Sequence, residues 1–452
     1  MQIAELGGAL DGDEVELTGW MAPFAREGAQ RSFALVEEAS CCFGCLPREP
    51  ARRVLVELGR AVPITGARLR VRGVLRVAAG DWRYRLEQAQ LVGQPAGVFT
   101  RRAAIAASLL ACVAVPAAAE EVSEAMARAA IAGSATVDIH THAGRINSAR
   151  RIEDRAAFPP VAEPMRQGGM AVLCLAVVPD GPVHKLMPDH HIHPFRDPQP
   201  GELYDFSNLA FQRVHDLIGL QGLQLVTDVA SFAACSGARP GVIVSSEGGD
   251  FLEGRIARVA EAHDRWQLRH LQLTHYRVNE LGDIQTEAPV HGGLTDFGAD
   301  VIRDCNRLGI VVDVAHGTFD LVKRAVDVTH KPLVLSHTSL SRAPGPRSRT
   351  ISVEHAKLVA GTGGVIGIWP PSSVFADKAA LAAGMARMVD AVGIDHVGLG
   401  TDMNGLVGAS SFAGYDELPA LAQALLQHGF QAAEVRKLLG GNYARVFAAS
   451  LA

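Results

Sequence analysis

The sequence predicts an α/β protein, a (β/α)8 TIM barrel preceded by a small all-β, OB-like domain, and three observations carry that expectation. From Thr136 to the C-terminus, eight short apolar β-type runs alternate with helix-like stretches. Six of those eight runs close on a histidine, glutamate or aspartate. The residues before about position 97 follow another rhythm, with short alternating segments separated by Gly, Pro and charged turns.

At 452 residues the chain exceeds one ordinary domain, and its 48% hydrophobic and 20% charged residues describe a folded globular protein. A net charge of only −5 excludes a strongly basic nucleic-acid-binding surface, so no nucleic-acid partner is expected. Seven cysteines do not make a disulfide framework in a chain of this length, and Cys112, Cys174, Cys235 and Cys305 stand alone as packing residues. The expected domains are residues 1–97 (β module), 98–134 (apolar linker) and 135–452 (barrel).

In the module, strands are expected at Val15–Trp20, Ser32–Val36, Val54–Leu58, Arg68–Leu75 and Trp82–Leu86. It also contains CCFGC, with Cys41, Cys42 and Cys45, which reads either as half of a metal or redox site or as a tight turn of small residues. Without a second Cys or His pair at zinc-site spacing the turn is favoured. The module resembles a small bacterial OB-like domain of unknown function in its Gly19 to Pro23 turn, its Phe33 to Val36 strand, its Cys-rich turn followed by Pro and its late Val-x-Gly strand. That resemblance implies no activity.

The linker contains two arginines followed by an Ala-rich apolar run, residues 101–119, with the form of a secretory signal placed after a whole domain. Export to the periplasm or membrane association through this segment is one expectation. A fusion remnant or a plain Ala-rich helix, with a cytoplasmic barrel, is the other. The run is short for a spanning helix, which needs about 20 apolar residues.

The barrel strands are expected at Val137–His140, Met170–Val178, Val242–Ser246, Leu271–Thr274, Ile310–Val314, Leu333–Leu335, Val365–Trp369 and Val397–Gly400. Parallel strands place their C-terminal ends on one rim, where catalytic groups gather. The first run gives DIHTH, and an H-x-H pair on a strand points both imidazoles to one face, so His140 and His142 can share an ion. The third run ends SSEGG, placing Glu247 where a carboxylate can bridge two metals beside glycines that let the backbone turn. The fourth ends at His275, the fifth and sixth at His316 and His337, and the eighth at Asp402. Each alone reads as an ordinary capped or hydrogen-bonded residue, whereas a metal centre accounts for all seven together.

These residues sit in motifs that resemble the membrane (renal) dipeptidases, binuclear zinc barrels of the amidohydrolase type. The resemblance runs from about Asp138 to Phe447 through the Asp-x-His opening, Glu247-Gly248-Gly249, Leu273-Thr274-His275, GLTDFG, CNRLGIVVDVAH, LSHTS, DHVGLGTD and LLGGNYARVF. It implies two Zn2+ ions, or other divalent metals, one held by His140 and His142 and one by His316 and His337, with Glu247 between them. It further implies that His275 stabilises the oxyanion and contacts substrate, that Asp402 is the catalytic proton carrier, and that an arginine after His337 binds the substrate carboxylate. Arg349 is the first choice for that arginine, with Arg342 and Arg347 close by. The implied activity is hydrolysis of a dipeptide or dipeptide-like amide, and the implied assembly a homodimer. N-acyl amino acid deacylation, lactone opening and a non-catalytic binding role are the alternatives.

Three residues depart from the family pattern: His142 stands where the family has Asp, Thr350 follows Arg349 where it has Asn, and Asn404 replaces its second aspartate after the eighth strand. One segment has no family counterpart. VHKLMPDHHIHPFRD, with His184, His190, His191 and His193, reads as a lid, a zinc-gathering loop or a solvated polar loop.

Overall fold

A computed structural model describes residues 3, 6, 11–23, 29–36, 53–63, 68–77, 82–92, 122–147, 157–189, 191–341, 343–345 and 347–452. Cys41, Cys42, Cys45, residues 101–119, His190 and Arg342 lie outside the described residues. The chain divides into two compact units, Met1–Glu121 with Pro371–Ala376 and Val122–Pro370 with Asp377–Ala452.

The first unit contains five strands, β1 (Glu14–Pro23), β2 (Ala29–Val36), β3 (Arg53–Pro63), β4 (Arg68–Val77) and β5 (Tyr84–Leu91). They close into a small barrel in the order β1-β2-β3-β5-β4. All neighbours are antiparallel except β3 and β5, which run parallel. Alternation along each strand turns Leu17, Phe33, Leu35, Val54, Val56, Val71, Leu75 and Leu86 into one buried core. Gly19 and Gly73 permit the closest backbone approaches, since a Cβ at either would lie 2.6 Å from the Val36 carbonyl oxygen or 2.7 Å from that of Glu87.

The second unit is built on eight parallel strands, β6 (Val137–Thr141), β7 (Val172–Val177), β11 (Gly241–Glu247), β12 (Leu268–Gln272), β13 (Val311–Asp313), β14 (Leu333–Thr338), β15 (Val365–Ile368) and β16 (Val397–Leu399). A hairpin of β8 (His184–Leu186) and β9 (Ile192–Pro194) follows β7, and the short β10 (Gln224–Leu225) pairs with β11. Neighbours pair in chain order from β6 to β16. The ends meet where His142 N donates to Met403 O at 2.9 Å and Asp402 N to His140 O at 2.9 Å. This is a nearly closed parallel barrel, consistent with the TIM-barrel expectation.

The strands are buried along their whole length because helices cover their outer face. Local sequence starts and stops those helices. Thr295 caps Asp296–Leu308 by accepting from Gly298 N, and Gly309 ends it at φ 74°. Thr318 and Asp377 cap Phe319–Val328 and Lys378–Val392 in the same way. Residues 124–131, assigned to the linker from sequence, form the helix Glu124–Ile131 and belong to this unit: Arg436 donates to Ala130 O at 3.1 Å and Gln423 to Val122 O at 2.6 Å.

The fourth strand needs correction. It spans Leu268–Gln272 rather than Leu271–Thr274. Its polar residues disguise it, because Arg269 spends its guanidinium on Thr227 O and His263 O, and His270 is buried between Tyr443 Oη (2.9 Å) and Asp313 (3.2 Å).

Candidate metal centre

All seven rim residues expected from the sequence reach one place. His140 lies in β6 and His142 just beyond it, Glu247 is the last residue of β11, and His337 lies in β14. His275, His316 and Asp402 each follow the end of a strand by three residues. Two of them hold left-handed backbone, His316 at φ 65° and Asp402 at φ 48°. Such conformations cost of order 1–3 kcal/mol each and persist where surrounding contacts fix them. Here Gln285 N donates to His316 O at 2.8 Å, and Asp402 N is tied to His140.

Glu247 is the hub. Its Oε1 lies 3.1 Å from His316 Nε2, 3.3 Å from His337 Nε2 and 3.4 Å from His140 Nε2. Its Oε2 lies 3.0 Å from His142 Nε2 and 3.1 Å from His275 Nε2. Asp402 Oδ1 approaches His142 Nε2 at 3.3 Å. His140, His142 and Asp402 form one cluster able to hold an ion, and Glu247 forms others with His140 and His337 and with His275 and His316.

All of these groups are buried. Burial alone would raise the carboxyl of Glu247, yet the surrounding histidines, His275 first, hold it well below the usual carboxylate range. Burial also opposes charge on His142, but Glu247 and Asp402 outweigh it and push the imidazole up to about 10. His316 and His337 go the other way, driven well below the ordinary imidazole value by burial and then by the positive charges of Arg349 and His140 respectively. One end of the centre is therefore rich in negative charge, and the other presents neutral nitrogen.

The centre opens into a cavity of about 470 Å³, also lined by His184, Tyr276, Arg349 and Trp369. Of the two candidate arginines among the described residues, Arg349 lines it. Its Nη1 donates to Gln285 Oε1 at 2.6 Å, its guanidinium lies 5.5 Å from the Trp369 ring centre, and its Nε is buried without a partner. Arg347 is exposed and absent from the lining.

Two polar residues of the site were missed from sequence. Asp180, fully buried after β7, accepts from His275 Nδ1 at 2.7 Å and from Tyr276 N at 3.1 Å. Asn147 lies behind His142, 2.7 Å from its Nδ1. An acid directly after the second strand was the available signal for Asp180, whereas Asn147 carried none. The histidine-rich segment divides: His184 faces Asp180 and the cavity, while His193 pairs with Asp189 and Glu287 at 3.0 and 2.5 Å.

The donor set fits divalent metal. Imidazole nitrogens and carboxylate oxygens converge in a buried space, the combination preferred by zinc and its neighbours. Two further ring nitrogens, His140 Nδ1 and His316 Nδ1, are buried without partners. His337 Nδ1 instead meets Ser336 Oγ at 2.9 Å, an outer hydrogen bond of the kind that orients a ligating imidazole.

Comparison with known proteins agrees with this chemistry. A family model described as membrane dipeptidase, peptidase family M19, matches residues 211–451. Dipeptidase aclJ of Aspergillus oryzae is 30% identical over 267 residues, covering 55% of this chain and 62% of that protein. Dipeptidase tcpJ of Claviceps purpurea is 31% identical over 225 residues, covering 46% and 51%. Dipeptidase 3 of Mus musculus is 27% identical over 219 residues, covering 45% and 43%. The chain thus spans roughly half the length of these relatives. Among solved structures, the probable dipeptidase PvdM of Pseudomonas aeruginosa aligns with a TM-score of 0.61 at 16% identity, covering 73% of this chain and 98% of that one. A Rhodobacter sphaeroides metallopeptidase, liganded with a phosphinate mimic of the dipeptide L-Ala-D-Ala, aligns with a TM-score of 0.56 at 20% identity, covering 70% and 99%. At such identities these structures show a shared fold.

Proposed function

The chain belongs to the membrane dipeptidase family, peptidase family M19, a family of metal-dependent hydrolases, and from that premise we propose that it cleaves dipeptides or dipeptide-like amides with two zinc ions. The observation that carries the reading is the convergence of five histidine Nε2 atoms on the two oxygens of Glu247, with Asp402 and Arg349 facing the same cavity.

In this reading His140 and His142 would hold one ion and His316 and His337 the other, with Glu247 available to both. When bound, the ions would supply Lewis acidity to the scissile carbonyl and make water acidic enough to be a nucleophile near neutral pH. The protein's own groups do the rest. Asp402 takes the proton of the attacking water and returns it to the leaving amine. His275, held by Asp180 through Nδ1, presents Nε2 to the oxygen on which charge develops. Arg349, backed by Trp369 and Gln285, meets the substrate carboxylate with the fork that guanidinium offers.

The strand order β1-β2-β3-β5-β4 supports an OB-like reading of the small barrel. Among the described residues no helix is long and apolar enough to cross a membrane. Export or membrane association through residues 101–119 stays part of the proposal.

The test is hydrolysis of a panel of L,L and L,D dipeptides, N-acyl amino acids and lactones by the full chain, with zinc added and with a chelator as control. Chelator-sensitive release of amino acids from dipeptides supports the reading. Turnover of only acyl or lactone substrates replaces it with another amidohydrolase activity.

A further inference from the structure

The wall of the cavity divides into two halves. The segments that follow β12 to β15 supply one, with Tyr276, Arg349 and Trp369. The segments that follow β16, β6 and β7 supply the other, with Asn404, Arg145 and His184. Arg349 belongs to the first half, where its Nη2 lies 3.3 Å from His337 O. With the substrate carboxylate at Arg349 and the scissile amide over the centre, the second half receives the side chain of the N-terminal residue.

The rim of that second half carries unspent donors. Arg145 is exposed, lines the cavity, and its guanidinium has no hydrogen-bond or ionic partner among the described residues. Its backbone is held in a tight turn, Ala143–Arg145, where Arg145 N donates to His142 O at 3.0 Å. Gly144 before it adopts φ 78° and packs so closely that a Cβ there would lie 2.2 Å from Leu217 Cδ1. Arg145 itself is left-handed at φ 51°, a conformation uncommon outside glycine that gathers at functional sites.

Asn404 matches it across the seam between β6 and β16. It too is exposed, left-handed at φ 67°, and without a hydrogen-bond partner for its amide among the described residues. Asn147, by contrast, spends its amide on Val178 N, Ala176 O and His142. The acids that line the cavity are Glu247 and Asp402. Both are buried in its floor and face the His142 ring at 3.0 and 3.3 Å. No carboxylate of the lining therefore answers the guanidinium at the rim.

We propose that Arg145, assisted by Asn404, selects dipeptides whose N-terminal residue carries a side-chain carboxylate, so that the preferred substrate is held by a guanidinium at each end. The inference rests on the dipeptidase reading and deepens it by naming the substrate class. A glutamyl side chain meets the Arg145 N–H groups in a charge-assisted pair. A glutaminyl side chain has the same length and shape and meets them without charge. A lysyl side chain brings a second cation to the same place.

The experiment measures kcat/KM of the zinc-supplied full chain for L-Glu-L-Ala, L-Gln-L-Ala and L-Lys-L-Ala, in the unaltered protein, Arg145→Gln and Arg145→Glu. The unaltered protein should favour the glutamyl over the glutaminyl substrate by about 10-fold, the lower end for a hydrogen bond to a charged group because Arg145 is exposed. The lysyl substrate should rank last. Arg145→Gln should bring the glutamyl-to-glutaminyl ratio close to one, and Arg145→Glu should invert it and move the lysyl substrate to first place. Each ratio is taken within one protein, so a change in the folded or metal-loaded fraction cancels.

Salt gives a second measurement that needs no variant. Exposed charges are screened beyond about 10 Å at 0.1 M and beyond about 3 Å at 1 M, so the glutamyl preference of the unaltered protein should shrink as salt rises. Equal cleavage of the glutamyl and glutaminyl substrates, a preference that survives Arg145→Gln, or one that salt leaves unchanged would each overturn the proposal. Failure to cleave any dipeptide would overturn the dipeptidase reading itself, so the two failures are distinguishable.

Discussion

Replacing Arg349 by methionine should separate binding of a substrate carboxylate from everything else the site does. The side chain is partly buried, its Nη1 is spent on Gln285, its Nη2 lies 3.3 Å from His337 O, and its Nε has no partner. None of its partners among the described residues is a carboxylate, and burial lowers its affinity for the proton it carries. A guanidinium held in that state is matched to an anion that arrives with the substrate. Removing one partner of a desolvated, hydrogen-bonded charge pair costs about 2–5 kcal/mol. At 1.4 kcal/mol per tenfold, kcat/KM for a free dipeptide should fall by roughly 30- to 4,000-fold.

The assay compares a dipeptide with the same dipeptide capped as its C-terminal amide, on the unaltered chain, Arg349→Met and Arg349→Lys. The amide lacks the carboxylate, so its already low kcat/KM should hardly change in either variant. Lysine keeps the charge and loses the fork, and should recover part of the loss. Folding should survive, since the methionine replaces a charge that has no ionic partner among the described residues. If acid and amide substrates lose activity equally, Arg349 does not read the carboxylate, and a general role in the cavity wall takes its place.

Three further outcomes are expected. Asp180→Asn should lower kcat by about 10²-fold with KM little changed, because a neutral amide no longer supports the protonated His275 ring, whose Nδ1–H Asp180 accepts and whose Nε2–H faces the developing charge; a rise in KM alone would refute this. Gly367→Ala should cost well over about 2 kcal/mol, seen as loss of folded protein in thermal melts, since its Cβ would lie 1.8 Å from the Ser336 carbonyl oxygen beside His337. The β8–β9 hairpin should loosen as pH rises. The Glu287 hydrogen bond is the main cause that raises the His193 imidazole, so the charged tether is complete below the ordinary value near 6.5 and is lost as pH passes the raised one. Amide exchange at Ile192 and His193, corrected for intrinsic rates, reads this, and Glu287→Gln should reduce the pH dependence to the part that Asp189 supports.

The rim was legible because a barrel strand is an apolar run and a polar residue at its C-terminal end stands out against it. His140, Glu247, His316, His337 and Asp402 all announce themselves that way, and the strand order follows from their sequence. Three things were not legible. The position of β12 was obscured because Arg269 and His270 satisfy their polar atoms inside the barrel. The choice among the arginines after β14 depended on a loop without periodicity, where Arg347 adopts φ 62° and points outward while Arg349 turns in. Asp180 showed only as an acid just after the second strand, and Asn147 acts through backbone and imidazole partners that nothing in its own neighbourhood marks.

The deeper organisation lies below the rim, in two interior aspartates that precede His140 and His316. Asp138 accepts from Thr401 N at 2.8 Å, Thr401 Oγ1 at 2.5 Å, Tyr415 Oη at 2.9 Å and His140 N at 3.3 Å. It thereby joins the first strand to the last and sets His140 and Asp402 side by side. Burial still pushes its carboxyl up to about 6 against those four donors. Asp313 does the matching work across the barrel, accepting from Ala315 N at 2.9 Å, Ser336 N at 3.1 Å and the His270 ring at 3.2 Å, and so fixes the segments that carry His316 and His337. Each buried carboxylate costs desolvation that backbone and side-chain donors offset. The two halves of the centre are thus anchored separately, each by its own aspartate, and Glu247 spans between them.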